Sequence, residues 1–125
     1  MSEPQQQPVV KRASEIAYES VDAAEGMRKG VLLDDSDGAP TFAIRRFVLD
    51  AGASVPKHTN AVEHEQYVLE GEYTVGIDGE EYTVSAGDSL LIPADVVHWY
   101  RNDGDEQGAF ICGVPNGDDE IQLAE

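Results

Sequence analysis

His58, Asn60, His64 and His98 have the types and spacing to hold a metal ion. The chain contains three histidines, and two of them fall in the stretch GASVPKHTNAVEHEQYVLEGE, Gly52 to Glu72. In a strand, residues i and i+2 face the same side, so His58 and Asn60 point together toward one face. His64 opens the next apolar run after a gap short enough to return it beside that pair, and His98 lies farther on in PADVVHWYRN, flanked by β-formers. Taken singly, each histidine is better explained as a surface or satisfied core residue. Taken together, all three stand where turns and strands can converge them. The lone cysteine, Cys112, excludes an intramolecular disulfide and any Cys-x-x-Cys motif, so a metal here must use histidine and oxygen ligands.

The elements that must position these residues read as β-structure. From Ile16 onward, short apolar stretches alternate with turn residues at the spacing of an all-β sandwich or barrel. Residues 26–33 and 41–50 predict strands on either side of the turn cluster DDSDGAP, and YTVGIDGEEYTV predicts a hairpin with a type I′ turn at Asp78-Gly79. SAGDSLLIPADVVHWYRN gives two further strands divided at Pro93, and residues 107–114 give the last. Only residues 15–25 carry a weak helical pattern. The acidic turn DDSDG lacks the ligand order and the final glutamate of an EF-hand and reads as a solvated turn. Residues 1–15 are polar and glutamine-rich and predict a flexible N-terminal tail, leaving 16–125 as a single barrel domain.

Composition narrows the partners. The chain of 125 residues holds 25 Asp plus Glu against 8 Lys plus Arg, a net charge of -17. Such a surface repels nucleic acid and anionic lipid, whose binding rests on phosphate neutralisation by Lys and Arg, so neither is expected as a partner. Acidity of this degree matches a halophilic protein, whose self-repulsion is screened at molar salt, where the Debye length is about 3 Å. No apolar run is long enough to span a bilayer and no leader pattern is readable, so the expected location is the cytoplasm.

GASVPKHTNAVEHEQYVLEG resembles the first motif of the cupin superfamily, with Gly52, His58, Asn60, His64 and Gly71 at the motif positions, and GDSLLIPADVVHWYRN resembles the second, with Gly87, Pro93, Asp95, His98 and Asn102. The resemblance, which extends over roughly 26–115, implies a double-stranded β-helix, or jelly-roll barrel, with ligands on inward faces. It is strongest to small single-domain cupins that bind a divalent metal through four histidines. His64 stands where a glutamate is usual, Asp95 replaces a turn glycine, and Asn60 replaces a histidine. An amide oxygen is a weaker ligand for a first-row metal than imidazole. Three imidazoles suffice for zinc at catalytic sites, so His58, His64 and His98, with Asn60 as a weak fourth ligand, are the expected set. The alternative is a relic site without metal. The metal implied is Mn, Fe, Cu, Ni or Zn.

Inward His98 places Tyr100 inward and Trp99 outward. Phe110, Cys112 and Val114 share a strand face, expected to be the inner one. One of Arg45 and Arg46 must point inward, and the resemblance in the phase of FAIRRF implies Arg45, on the face of Phe47, as an anchor for an anionic substrate; a salt bridge to a neighbouring acid is the other explanation. Arg45 and Tyr100 are thus the candidate catalytic residues and Phe47, Phe110, Cys112 and Val114 the candidate pocket. Cys112 reads as a small buried hydrophobe rather than a redox residue. The implied function is dioxygenase-type oxidation of a small organic molecule, with a metal-dependent isomerase or a non-catalytic small-molecule binder as alternatives. Outward Trp99 and exposed sheet edges point to a homodimer.

Overall fold

The computed structural model describes residues 7–117 and 121–124. Ten strands form among them: β1 (Tyr18–Ser20), β2 (Glu25–Leu33), β3 (Phe42–Thr59), β4 (His64–Glu70), β5 (Glu72–Ile77), β6 (Glu80–Ser85), β7 (Ser89–Ile92), β8 (His98–Arg101), β9 (Gly108–Pro115) and β10 (Gln122–Leu123). They curl into a jelly-roll barrel in the order β6-β5-β8-β3-β9-β4-β7, with β2 and β10 also paired to β3. No helix among the described residues is long and apolar enough to cross a membrane. Of the expected N-terminal tail, residues 1–6 lie outside the described residues.

β3 organises the barrel. Its first half, Phe42 to Leu49, pairs with β9, and its second half pairs with β8 from Ser54 to His58. One strand therefore belongs to both walls. The passage between them is made at Gly52, whose φ of 83° is open to a residue without a Cβ. Asn102 ties the junction from inside: its Nδ2 donates to the carbonyls of Leu49, Asp50 and Glu106, and its Oδ1 accepts from the Gly104 amide.

The hairpin at Asp78-Gly79 forms as expected, with φ of 51° and 85° at its two central residues and Ile77 opposite Glu80. The weakly helical stretch 15–25 instead contributes β1, antiparallel to β2 with Tyr18 opposite Gly30. Gly30 explains the outcome: a Cβ there would lie 2.7 Å from the Tyr18 ring and 2.8 Å from Ile16. Docking of both side chains over that glycine outweighs a marginal helical propensity.

The alternation of β4 buries His64, Gln66 and Val68 and exposes Glu65, Tyr67 and Leu69. On β9, Phe110, Cys112 and Val114 are buried while Ile111 and Gly113 lie on the half-exposed side. Cross-strand register then builds inward rows: Val31, Arg45, Cys112 and Gln66 in one, Lys29, Phe47, Phe110 and Val68 in the next. Trp99, on the outer face of β8, lies against Gly76 and beneath the Arg101 guanidinium, 5.0 Å from ring centroid to Cζ. It is thus covered in large part by its own chain.

Candidate metal and substrate site

A cavity of about 100 Å³ opens inside the barrel, and its wall includes His58, Asn60, His64 and His98 together with Arg45, Phe47, Gln66, Tyr100 and Phe110. The second half of β3 delivers His58, β8 delivers His98, and register places the two opposite one another. Their rings lie 4.1 Å apart between centroids, and His64, from the start of β4, lies 6.1 Å from His98. Asn60 is buried beyond the end of β3, and its carbonyl accepts from the Asp95 amide at 2.8 Å. That bond joins the two motifs through the backbone. Asp95 holds a φ of 65°, the left-handed conformation that aspartate tolerates better than most residues.

His58 and His98 are held alike. Nδ1 of His58 donates to the Pro56 carbonyl at 2.8 Å, and Nδ1 of His98 to the Val96 carbonyl at 2.9 Å. A carbonyl can only accept, so in the neutral rings the proton sits on Nδ1 and the lone pair on Nε2. This is the arrangement by which backbone acceptors orient metal-ligating imidazoles. Two imidazoles on one ion hold their centroids on the order of 5 Å apart, and the observed separations fall on either side of that value. Among the described residues no three His, Cys, Asp or Glu side chains stand at metal-holding distance. The donor chemistry nevertheless fits a borderline divalent ion: imidazoles with fixed tautomers, an amide oxygen, and no Asp or Glu among the described residues of the wall.

The rest of the wall is aromatic. Phe47 stacks on Phe110 at 5.1 Å, and Tyr100 stacks on the same ring at 5.4 Å. Arg45 points inward, its Cζ 5.2 Å from the Phe47 centroid and its Nη2 3.6 Å from Cys112 Sγ. Arg46 faces outward and pairs with Glu70 at 3.4 Å. Cys112 lies behind Arg45 and Gln66 rather than in the cavity wall, and Val114 borders a shallower pocket that shares Arg45 and Lys29 with the inner one. Tyr73, also buried, carries a hydroxyl with no hydrogen-bond partner among the described residues; burial, reinforced by Tyr100 and Cys112, pushes its phenol well above the ordinary range.

Two polar wall residues, Gln66 and Lys29, escape the sequence reading, as do the apolar Val21, Met27, Val55 and Ile121. Gln66 sits inside the apolar run QYVLEG, where its polarity draws no notice, although alternation from His64 puts it on the same face. Lys29, opposite Phe47 in register, carries no sequence signal beyond that of its strand.

This barrel, with its histidines on facing strands, is that of a cupin, and the chain belongs to the cupin family: residues 45–114 match the family's cupin domain. Among solved structures, the polyketide cyclase RemF from Streptomyces resistomycificus superposes with a TM-score of 0.84 at 25% identity, covering 94% of this chain and 87% of that one. Among curated proteins, polyketide synthase CurC of Streptomyces cyaneus is 34% identical over 75 residues, 59% of this chain and 49% of the relative. Quercetin 2,3-dioxygenase of Bacillus subtilis (strain 168) is 40% identical over 55 residues, 38% of this chain and 16% of the relative. The chain thus spans about half the length of the first of these curated relatives and a smaller part of the second.

Proposed function

We propose that the protein is a metal-dependent enzyme that closes a ring in a small, oxygen-rich organic molecule held against the aromatic wall. The observation that carries this reading is the pair of imidazoles, His58 and His98, fixed in one tautomer beside a cavity of single-ring size. The likeness to a polyketide cyclase over most of the chain supports it. His58, His64 and His98 are the proposed ligands, with Asn60 as a weak fourth. A divalent ion bound there would supply Lewis-acid polarisation of a carbonyl, or oxygen chemistry were it iron, manganese or copper.

The chain's own residues do the rest. The Phe47, Phe110 and Tyr100 rings hold a flat substrate and exclude water. Arg45 anchors an anionic oxygen of the substrate. The Tyr100 hydroxyl donates a proton to the oxygen of the carbonyl being attacked as the carbon alpha to a second carbonyl forms the new carbon–carbon bond; that carbon's proton passes to water at the cavity mouth, which returns one to the Tyr100 phenolate, so the net change is an isomerisation. Atoms and electrons balance without an oxidant. A second reading, dioxygenase-type oxidation, is favoured by the segment shared with quercetin 2,3-dioxygenase. Exposed Tyr67 and Leu91 on the outer face of neighbouring strands β4 and β7 support assembly as a homodimer, checked by sedimentation in high salt.

The test loads the protein separately with Zn(II), Mn(II) and Fe(II), measures bound metal, and supplies a phenol carrying a β-diketone side chain with and without oxygen. Cyclised product formed anaerobically supports the proposal. Product that appears only as oxygen is consumed selects the dioxygenase reading, and stoichiometric binding of the ketone without any product selects a binding protein. Absence of both bound metal and product sinks the enzyme reading.

A further inference from the structure

Gln66 is 4% exposed and lines the cavity. Its Nε2 donates to the Tyr100 hydroxyl oxygen at 2.8 Å and lies 3.9 Å from Cys112 Sγ. The other end of the amide is different: Oε1 is buried with no hydrogen-bond partner among the described residues. A buried acceptor left in that state is a cost to the fold that leucine at the same place would not carry. The amide is placed with Nε2 toward Cys112 Sγ, a sulfur that already accepts from Arg45 Nη2 at 3.6 Å and so presents itself to Nε2 as an acceptor.

We infer that Gln66 selects substrate by accepting, at Oε1, a hydrogen bond from a hydroxyl carried on a flat ring, while its Nε2 holds the Tyr100 phenol in place. The inference rests on the reading of this cavity as the substrate site. The ring is called for by its surroundings: Phe47, Phe110 and Tyr100 form a stacked wall. The volume of about 100 Å³ is on the scale of the ~150 Å³ that admits benzene in an engineered apolar cavity. Gln66 then gives the wall a specificity that stacking alone lacks, since a ring without a donor leaves Oε1 unsatisfied.

The experiment is a cycle of two ligands and three proteins. Phenol and toluene, nearly isosteric and differing in the donor, are titrated calorimetrically into metal-loaded wild type, Gln66→Leu and Gln66→Glu, each shown to be folded by circular dichroism. Wild type should prefer phenol over toluene, and Gln66→Leu should reduce that ratio by about 10-fold, the scale of one hydrogen bond. Gln66→Glu, which keeps an acceptor oxygen, should hold the ratio within about 3-fold of wild type. An unchanged ratio in Gln66→Leu, with both ligands still bound, assigns Oε1 to solvent and overturns the inference while leaving the cavity reading intact. Failure of wild type to bind either ligand overturns both.

Discussion

The imidazoles of His58 and His98 face each other across the pairing of β3 with β8, 4.1 Å apart, and each is anchored through Nδ1 to the carbonyl two residues before it. The same local device at both sites turns the same nitrogen toward a common space. The rings are therefore set by backbone geometry, which a bound ion would inherit rather than create.

Replacing His98 by alanine removes one of these anchored donors and should weaken Zn(II) and Mn(II) binding by about 100-fold or more. Asn60→His should tighten it by about 10–100-fold, the range over which supporting groups act, because imidazole is the better donor. Calorimetric titration in molar KCl checks both. Equal affinities across wild type and the two variants would place the metal elsewhere on the acidic surface.

The buried Tyr73 hydroxyl gives a stability prediction of the opposite sign to most core changes. Its phenol is raised by burial, so the folded state holds that proton more firmly than the unfolded chain. The contribution is present below the unfolded value of about 10 and is lost as pH rises past it. Tyr73→Phe deletes an unpartnered hydroxyl and should leave stability equal or higher by about 1–3 kcal/mol at neutral pH. It should also make unfolding above pH ~10 less steep. Urea melts across the alkaline range decide it.

Gly76→Ala should destabilise the fold by about 1–3 kcal/mol, as overpacking does. A Cβ there would lie inside the Trp99 indole, and the ring cannot yield without leaving the Arg101 guanidinium stacked on it. Thermal melting measures the loss, and Gly76→Ala combined with Trp99→Leu should recover much of it. An unaltered melting temperature in the single variant would show that Trp99 has room to move.

A net charge of -17 should make the melting temperature rise steeply with salt up to molar KCl, where screening shortens to about 3 Å. A melting temperature indifferent to KCl would remove self-repulsion as a determinant of stability.

The histidines, the hairpin and the inward phase of β9 were legible because period-2 alternation and an Asp-Gly turn act locally. The length of β3 was not. The pattern ends a strand at residue 50, yet β3 runs on to Thr59, because Gly52 only turns it from one wall to the other. β1 depended on Tyr18 meeting Gly30, a contact no local pattern contains. Gln66 shows a different limit: its face could be counted from His64, but its unpartnered oxygen exists only once β9 and β8 have closed around it.

The sharing of β3 between both walls bears on how the chain tolerates being cut. New termini at Asp78-Gly79 would open an exposed turn and leave every inward row attached to continuous backbone, so a circular permutant there should fold. A break at Gly52 would sever the one covalent connection between Arg45 and His58. The fragments would have to find each other through the ladder of Phe42–Leu49 on β9, the Asn102 Nδ2 bonds to the Leu49 and Asp50 carbonyls and side-chain packing. Split at that point, the protein should behave as a complementation pair whose reassembly depends on concentration, with neither piece able to build half a cavity by itself.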